Sequence, residues 1–172
     1  MEYRLVKPKL IHQAKYLEYV KEWNLASDKM VPYSSQLNDL SYQDFLVLQA
    51  NREDITKVPK EFVPSSFYLF VDEVETILGA VSIRHFLNDH LLSTGGHIGY
   101  GIRPSMRGKH LAKKMLSLAL KEAYILGITK ALVTCDTHNI PSRKTIESCG
   151  GVLENQNIVD GVLQNRYWIT LD

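Results

Sequence analysis

Two cationic side chains around a glycine mark the stretch of this sequence with the clearest chemistry. Arg107, Gly108 and Lys109 follow a short apolar strand pattern and come directly before a helical pattern. The first turn of a helix carries backbone N–H groups that have no partner inside the helix, and its dipole favours negative charge. We therefore predict that this junction binds an anion, most simply a diphosphate.

Periodicity predicts the strand and the helix that position this junction. Ile98, Tyr100 and Ile102 alternate with other residues as in a strand expected over residues 95–102, and Pro104 ends it because proline has no N–H to donate. Downstream of the cations, apolar residues recur at spacings of four and three, which is typical of one helix face. They are Ala112, Leu116, Ala119, Ala123 and Leu126.

The remaining pattern predicts a mixed α/β chain. Helical spacing predicts helices at residues 10–22 and 40–50, the second with Ser41 as its N-cap. Asn139 is a predicted N-cap of a further helix that ends at Gly150, and Asp160-Gly161 predicts a hairpin between the last two strands. The order strand, helix, strand in the middle of the chain predicts a right-handed parallel crossover within a largely antiparallel sheet. Alternating or β-branched runs predict strands at residues 3–6, 66–71, 77–84, 131–135, 152–155 and 162–171.

Composition limits the class of protein. The chain has 172 residues and a formal net charge of +1, which fits one domain and does not suggest nucleic acid or an anionic membrane as partner. It has no apolar run long enough to span a bilayer and no signal-peptide core, so we expect a cytoplasmic protein. Cys135 and Cys149 are then expected to be reduced thiols, and we predict no metal site.

The anion-binding stretch also resembles a known family. Ile102-Arg103-Pro104, followed by residues 107–112, is similar to motif A of the GNAT acyl-CoA-dependent N-acyltransferases, written Arg/Gln-x-x-Gly-x-Gly/Ala. His110 stands where the family usually has its inner glycine. The resemblance implies one N-acetyltransferase domain over residues 1–172 with the GNAT fold. This fold is of the α+β type, a mixed, mostly antiparallel sheet with a central splayed parallel pair flanked by helices.

A second motif strengthens the resemblance. Asn139 and Ser142 resemble motif B of the family, in which the two side chains lie along the pantetheine arm of the cofactor. Many members have a tyrosine four residues after that serine to protonate the leaving thiolate, whereas this chain has Ile146. The resemblance implies acetyl-CoA as cofactor and strands that separate after Ile102, which leaves backbone groups of Tyr100, Gly101 and Ile102 free to pair with the pantetheine amides. The residues implied to bind it are Tyr100, Gly101, Ile102, Arg107, Gly108, Lys109, His110, Leu111, Ala112, Asn139 and Ser142.

The catalytic assignments rest on fewer observations. A base must deprotonate the acceptor amine, directly or through water, and His97 and then His85 are the nearby residues whose ordinary pKa suits this task. If the strand is regular, however, His97 points away from the face that carries Tyr100. A backbone N–H of the central strand, at Tyr100, is expected to stabilise the oxyanion.

The acceptor is expected to be the primary amine of a small molecule or a peptide, and a homodimer is left open. Arg84 is either a surface charge at a strand end or a contact for an anionic part of the acceptor. Trp23 and Tyr33 either pack within a loop or face the substrate. Because Ile146 replaces the tyrosine, an alternative function is a non-catalytic acyl-CoA-binding regulatory module.

The segments Ile-Arg-His-x-Leu-Asn at residues 83–88 and Gly-Gly-His-Ile-Gly-Tyr at residues 95–100 resemble a subset of GNAT proteins that are predicted acetyltransferases. A mixed α/β fold that binds another phosphate ligand is a third interpretation, and no P-loop or dinucleotide-binding signature supports it.

Overall fold

Seven strands form two antiparallel groups in the computed structural model, which describes residues 2–172. The first group has the order β1-β2-β3-β4, and the second has the order β5-β7-β6. The strands are β1 (Arg4–Val6), β2 (Ser65–Val71), β3 (Ile77–Arg84), β4 (Ile98–Ile102), β5 (Lys130–Asp136), β6 (Val152–Val159) and β7 (Val162–Thr170). The predicted fold class is confirmed: helices and strands are mixed, and the strand pairings of residues 2–172 are antiparallel.

Five helices cover the two faces of the sheets. They are α1 (Gln13–Leu25), α2 (Tyr42–Arg52), α3 (Asp89–Ser93), α4 (Leu111–Ile125) and α5 (Ile140–Ser148). One apolar core lies between the sheets and α4 with α5, and a second, largely aromatic core packs α1 and α2 against the other face of β2 and β3. Burial on both faces explains why β2 and β3 are almost uninterrupted apolar runs.

Local signals placed several helix ends correctly. The Ser41 hydroxyl accepts a hydrogen bond from the Asp44 backbone N–H at 3.1 Å and caps α2, as predicted. The Asn139 side-chain oxygen accepts from the Ser142 backbone N–H at 3.2 Å and caps α5. The turn at Asp160 joins β6 to β7 as the predicted hairpin.

The side chains of α1 that enter the core are aromatic. They are Tyr16, Tyr19 and Trp23, whereas the aliphatic residues Ile11, just before α1, and Leu17 are exposed. These aromatic rings pack against α2 and against one another, so α1 extends to Leu25, three residues beyond the predicted end. Large aromatic surfaces in the core therefore outweighed the aliphatic pattern. No helix within residues 2–172 is long and apolar enough to cross a membrane.

Candidate active site

A cleft of about 1180 Å³ opens between β4, the first turn of α4 and the first turns of α5. This volume exceeds that of most pockets for drug-sized ligands, so the cleft can hold an extended molecule. Its lining includes the cations Lys29, Arg107, Lys113 and Lys144 and a single carboxylate, Asp28. Most of the residues predicted to bind the cofactor line it: Tyr100, Gly101, Ile102, Arg107, Gly108, His110, Leu111, Ala112, Asn139 and Ser142.

One edge of β4 is open along the cleft. The Arg103 backbone N–H donates to the Leu78 carbonyl at 2.8 Å, which shows that this residue faces β3. Because backbone groups alternate in direction along an antiparallel strand, Gly101 also faces β3, whereas Tyr100 and Ile102 face the cleft. All three had been predicted to offer backbone groups to the pantetheine arm, and the structure leaves only Tyr100 and Ile102 in that orientation.

His97 makes the last hydrogen bonds between the start of β4 and β5. The backbone N–H of His97 donates to the Leu132 carbonyl at 2.8 Å, and the Nδ1 atom of its imidazole accepts from the Leu132 backbone N–H at 2.9 Å. Within residues 2–172, no ladder pairs β4 with β5 beyond this point. The His97 imidazole thus accepts the hydrogen bond that a backbone carbonyl of β4 would otherwise accept. The strands separate after His97, whereas the prediction placed the separation after Ile102.

The geometry of His97 argues against its predicted role as general base. Neutral imidazole has one lone pair on its ring nitrogens, and the Leu132 N–H occupies it at Nδ1. Burial, with a smaller contribution from the Arg84 charge, lowers the pKa of His97 to about 4. His85 does not line the cleft either. Its Nε2 lies 2.8 Å from the Ser66 hydroxyl, and burial lowers its pKa as well.

The turn between β4 and α4 forms the anion-binding end of the cleft. Gly108 has φ = +75°, and His110 has φ = 58° and ψ = 19°, the left-handed conformation that favours glycine. This conformation explains why glycine is usual at the position of His110, and the histidine there costs roughly 1 kcal/mol of backbone strain. The exposed His110 ring and the unpaired N–H groups of α4 both border the cleft.

Arg107 is held by two residues from the region of α1. Its guanidinium lies 5.0 Å from the centre of the Trp23 ring and donates to the Asp28 carboxylate at 2.5 Å. Trp23 is buried and lines the cleft, so it supports a cationic side chain beside the anion-binding turn. Trp23 was expected either to pack within a loop or to face the substrate, and Asp28 was not predicted to belong to the site.

Glu22 fixes the same turn from α1. Its carboxylate accepts from the Arg103 Nε at 2.5 Å and from the Ser105 backbone N–H at 2.8 Å. Burial acts to raise the pKa of Glu22, but the hydrogen bonds from Ser105 and Arg103 outweigh it and the pKa lies below its usual value. The carboxylate is therefore ionised at neutral pH and ties α1 to the end of β4.

Tyr100 bridges the cleft from β4 to α5. Its hydroxyl oxygen lies 3.0 Å from the Ser142 hydroxyl oxygen, within hydrogen-bond distance. Burial raises the pKa of Tyr100 well above its usual value, so the phenol keeps its proton at neutral pH. Ile146, at the position where a tyrosine is common in the resembled family, is fully buried in the core. A phenol therefore does reach this cleft, but from the strand instead of the helix.

The segment between α1 and α2 covers the opposite face of β4. A Cβ on Gly101 would overlap the Val31 carbonyl, and a Cβ on Gly99 would lie 3.4 Å from the Pro32 Cβ. Glycine at these positions lets the segment pack directly on the strand. Tyr33, expected either to pack within the loop or to face the substrate, is exposed and does not line the cleft. No local pattern indicates this packing, because it joins residues about 70 positions apart along the chain.

Comparisons with known proteins agree with this geometry. Residues 15–152 match the family model described as an acetyltransferase (GNAT) domain. No curated protein sequence matches the chain significantly.

Solved structures share the fold. The microcin C7 self-immunity acetyltransferase MccE, solved with acetyl-CoA and AMP, has a TM-score of 0.64 and 21% identity, over 99% of this chain and 93% of that chain. A dodecameric spermidine N-acetyltransferase from Vibrio cholerae has a TM-score of 0.65 and 15% identity, over 98% and 92% of the two chains. At these identities the likeness establishes the fold.

Proposed function

The chain belongs to the GNAT acetyltransferase family, whose cosubstrate is acetyl-CoA, and we propose that it transfers the acetyl group to a primary amine of a small molecule or peptide. Transfer occurs by direct attack while donor and acceptor are both bound. The observation that carries this proposal is the open edge of β4, which leads directly into the N-terminus of α4 inside one cleft. We also propose that residues 1–172 form one such domain.

The cleft suits acetyl-CoA in shape and charge. The open backbone groups of Tyr100 and Ile102 match the amides of a pantetheine arm, as an added strand would. The first turn of α4 and the guanidinium of Arg107 suit a pyrophosphate, since N–H donors and a cation converge there. Lys113 and Lys144 add positive charge for further phosphate.

Bound acetyl-CoA supplies an acetyl group activated as a thioester. Tyr100 then has two roles that use different atoms. Its backbone N–H faces the cleft and can stabilise negative charge on the thioester oxygen. Its hydroxyl can donate a proton to the sulfur as the C–S bond breaks and the N–C bond forms. The Ser142 hydroxyl, 3.0 Å away, can relay a proton from solvent water to the phenolate, so that the serine ends the step protonated.

The acceptor must lose its ammonium proton before it attacks. Neither His97 nor His85 lines the cleft, and the carboxylate that does, Asp28, is paired with Arg107. We propose that this proton passes to water. Proton loss then depends on the acceptor's own pKa instead of that of an enzyme group.

This assignment makes a prediction about pH. For two acceptors whose amine pKa values differ by about one unit, we expect the rising limb of kcat/KM to shift by about one unit. The measurement is a pH profile of CoA release with each acceptor between pH 6 and pH 10. A limb that stays at the same pH for both acceptors would instead identify a titrating group of the enzyme.

The function itself is tested by a panel of primary amines, with release of free CoA thiol as the readout. We expect turnover with at least one class of amine and N-acetylated product by mass spectrometry. Calorimetry with CoA, ATP and NAD provides the control for the cleft, and we expect tight binding of CoA alone. Binding of CoA without transfer to any amine would contradict the catalytic proposal and favour the regulatory module.

Two segments, residues 83–88 and residues 95–100, carry the resemblance to a subgroup of predicted acetyltransferases. In the structure they lie next to each other, because the Arg84 backbone N–H donates to the His97 carbonyl at 2.7 Å. We propose that they define the acceptor side of the site in this subgroup.

A further inference from the structure

The guanidinium of Arg84 lies on the face of β4 opposite the cofactor cleft. Arg84 is the last residue of β3, and its side chain is directed away from the core that contains Ile83. Its Nη1 and Nη2 atoms lie 3.6 and 3.9 Å from the point where a Cβ of Gly99 would stand. Because residue 99 is glycine, the guanidinium can rest on the strand itself.

No carboxylate of residues 2–172 neutralises the charge of this guanidinium, because Arg84 forms no ion pair there. The Arg84 side chain is half-buried, and this partial removal from water lowers its pKa. Its protein hydrogen bonds are donated by Nη1 alone, to the Gly95 carbonyl at 3.1 Å and the Gly96 carbonyl at 3.3 Å. Buried charges are normally paired, because desolvation is expensive without a counter-charge.

The contacts of Nη1 have a structural role, but they do not account for the whole side chain. They hold the turn at Gly95 and Gly96, where both residues have positive φ. The Nε and Nη2 donors form no hydrogen bond with the residues that the structure describes. Arginine presents its donors in a planar fork that matches a carboxylate, so Nε and Nη2 are suited to an anionic ligand.

This guanidinium is close to the proposed point of acetyl transfer. Gly99 directly precedes Tyr100, whose backbone N–H faces the open edge, and the rise along a strand is about 3.4 Å per residue. A ligand carboxylate on Arg84 would therefore lie only a few bonds from an amine that reaches the thioester. The segment containing Pro32 borders the same space.

We infer that Arg84 binds a carboxylate of the acceptor, so that the substrates are amino acids or closely related compounds with a carboxylate a few bonds from the amine. This inference rests on the proposed function. The same positive charge disfavours polyamines, so spermidine is expected to be a poor acceptor.

The test compares three acceptors that differ at one group: an amino acid, its amide and the amine that lacks the carboxylate. We expect the wild-type protein to prefer the amino acid in kcat/KM by roughly 100-fold, the effect of one buried charged pair. Arg84→Met is expected to abolish this preference by lowering the amino-acid rate far more than the amide rate. Arg84→Lys keeps the positive charge but lacks the planar guanidinium, so it should retain part of the preference for the amino acid.

The outcomes separate the two proposals. Equal losses for all three acceptors in Arg84→Met would assign Arg84 a structural role only and overturn the inference. Transfer by the wild-type protein without any preference for the carboxylate would also overturn the inference about Arg84. This result needs no variant, and it would leave the proposed acetyltransferase function unchanged. Binding of the carboxylate can also be measured without turnover. The N-acetyl amino acid is titrated into the CoA-bound protein, and the NMR signal of the Arg84 Nε group reports binding. A shifted Nε signal in a protein that acetylates nothing would support the inference and contradict the proposed function.

Discussion

Replacing Tyr100 with phenylalanine is expected to lower kcat by about 100-fold, the usual contribution of a positioned general acid. The substitution removes one oxygen and keeps the ring, the strand and the backbone N–H, so the dissociation constant of acetyl-CoA should stay unchanged. Because the hydroxyl lies 3.0 Å from Ser142 and keeps its proton, it is the donor within the cleft best placed for the leaving sulfur. Steady-state kinetics with the acceptor from the amine panel, together with calorimetry for CoA, make the measurement.

Tyr167 offers a matched control for that substitution. Tyr167 is a buried tyrosine, whereas Tyr100 is partly exposed to the cleft, and the Tyr167 hydroxyl donates to the Glu147 carboxylate at 2.9 Å and does not line the cleft. Tyr167→Phe should therefore leave kcat near the wild-type value. Ser142→Ala keeps the phenol and should reduce kcat less than Tyr100→Phe does. A Tyr100→Phe variant with wild-type kcat would mean that the thiolate leaves without assistance.

Replacing His97 with alanine is expected to destabilise the fold and to change how stability depends on pH. The Leu132 N–H would lose its acceptor, and an unsatisfied buried donor costs about 1–3 kcal/mol. The wild-type dependence follows from the pKa, which is 6.5 for an ordinary histidine and about 4 here. Above pH 6.5 the ring is neutral in both states, and its contribution to stability is complete.

As the pH falls from 6.5 to about 4, the unfolded chain binds a proton at this residue before the folded protein does. The linkage therefore removes about 3 kcal/mol of stability across that window. His97→Gln is the control, because its amide oxygen can accept from Leu132 but does not titrate. Urea unfolding of the wild-type protein and of His97→Gln at several pH values measures the difference in the pH dependence of their unfolding free energies. Curves with the same pH dependence would show that His97 does not carry this effect.

The strand, turn and helix around Arg107 could be predicted because their signals are local. Pro104 ends a strand, and capping residues such as Ser41 and Asn139 act on N–H groups two or three residues away. The family resemblance added what periodicity alone does not provide, the expected separation of two strands and the use of their backbone groups.

The predictions that failed depend on distant contacts. The strand was expected from residue 95 but begins at Ile98, because Gly95 and Gly96 turn with positive φ and a Cβ on Gly96 would overlap the Leu132 backbone. Helix α3 was not predicted, because a helix of five residues is too short to show a helical spacing of apolar residues. The role of His97 depends on a partner 35 residues away, and nothing in the sequence near His97 indicates it.

The bond between His97 and Leu132 also limits how this protein can change by mutation. One imidazole both satisfies a backbone donor in the core and sets the place where the cleft begins. A substitution there alters thermodynamic stability and the fit of the cofactor arm together, so selection cannot adjust the two traits separately at this position. Variation in acceptor preference is therefore easier to accumulate at Arg84, whose side chain does not line the cofactor cleft.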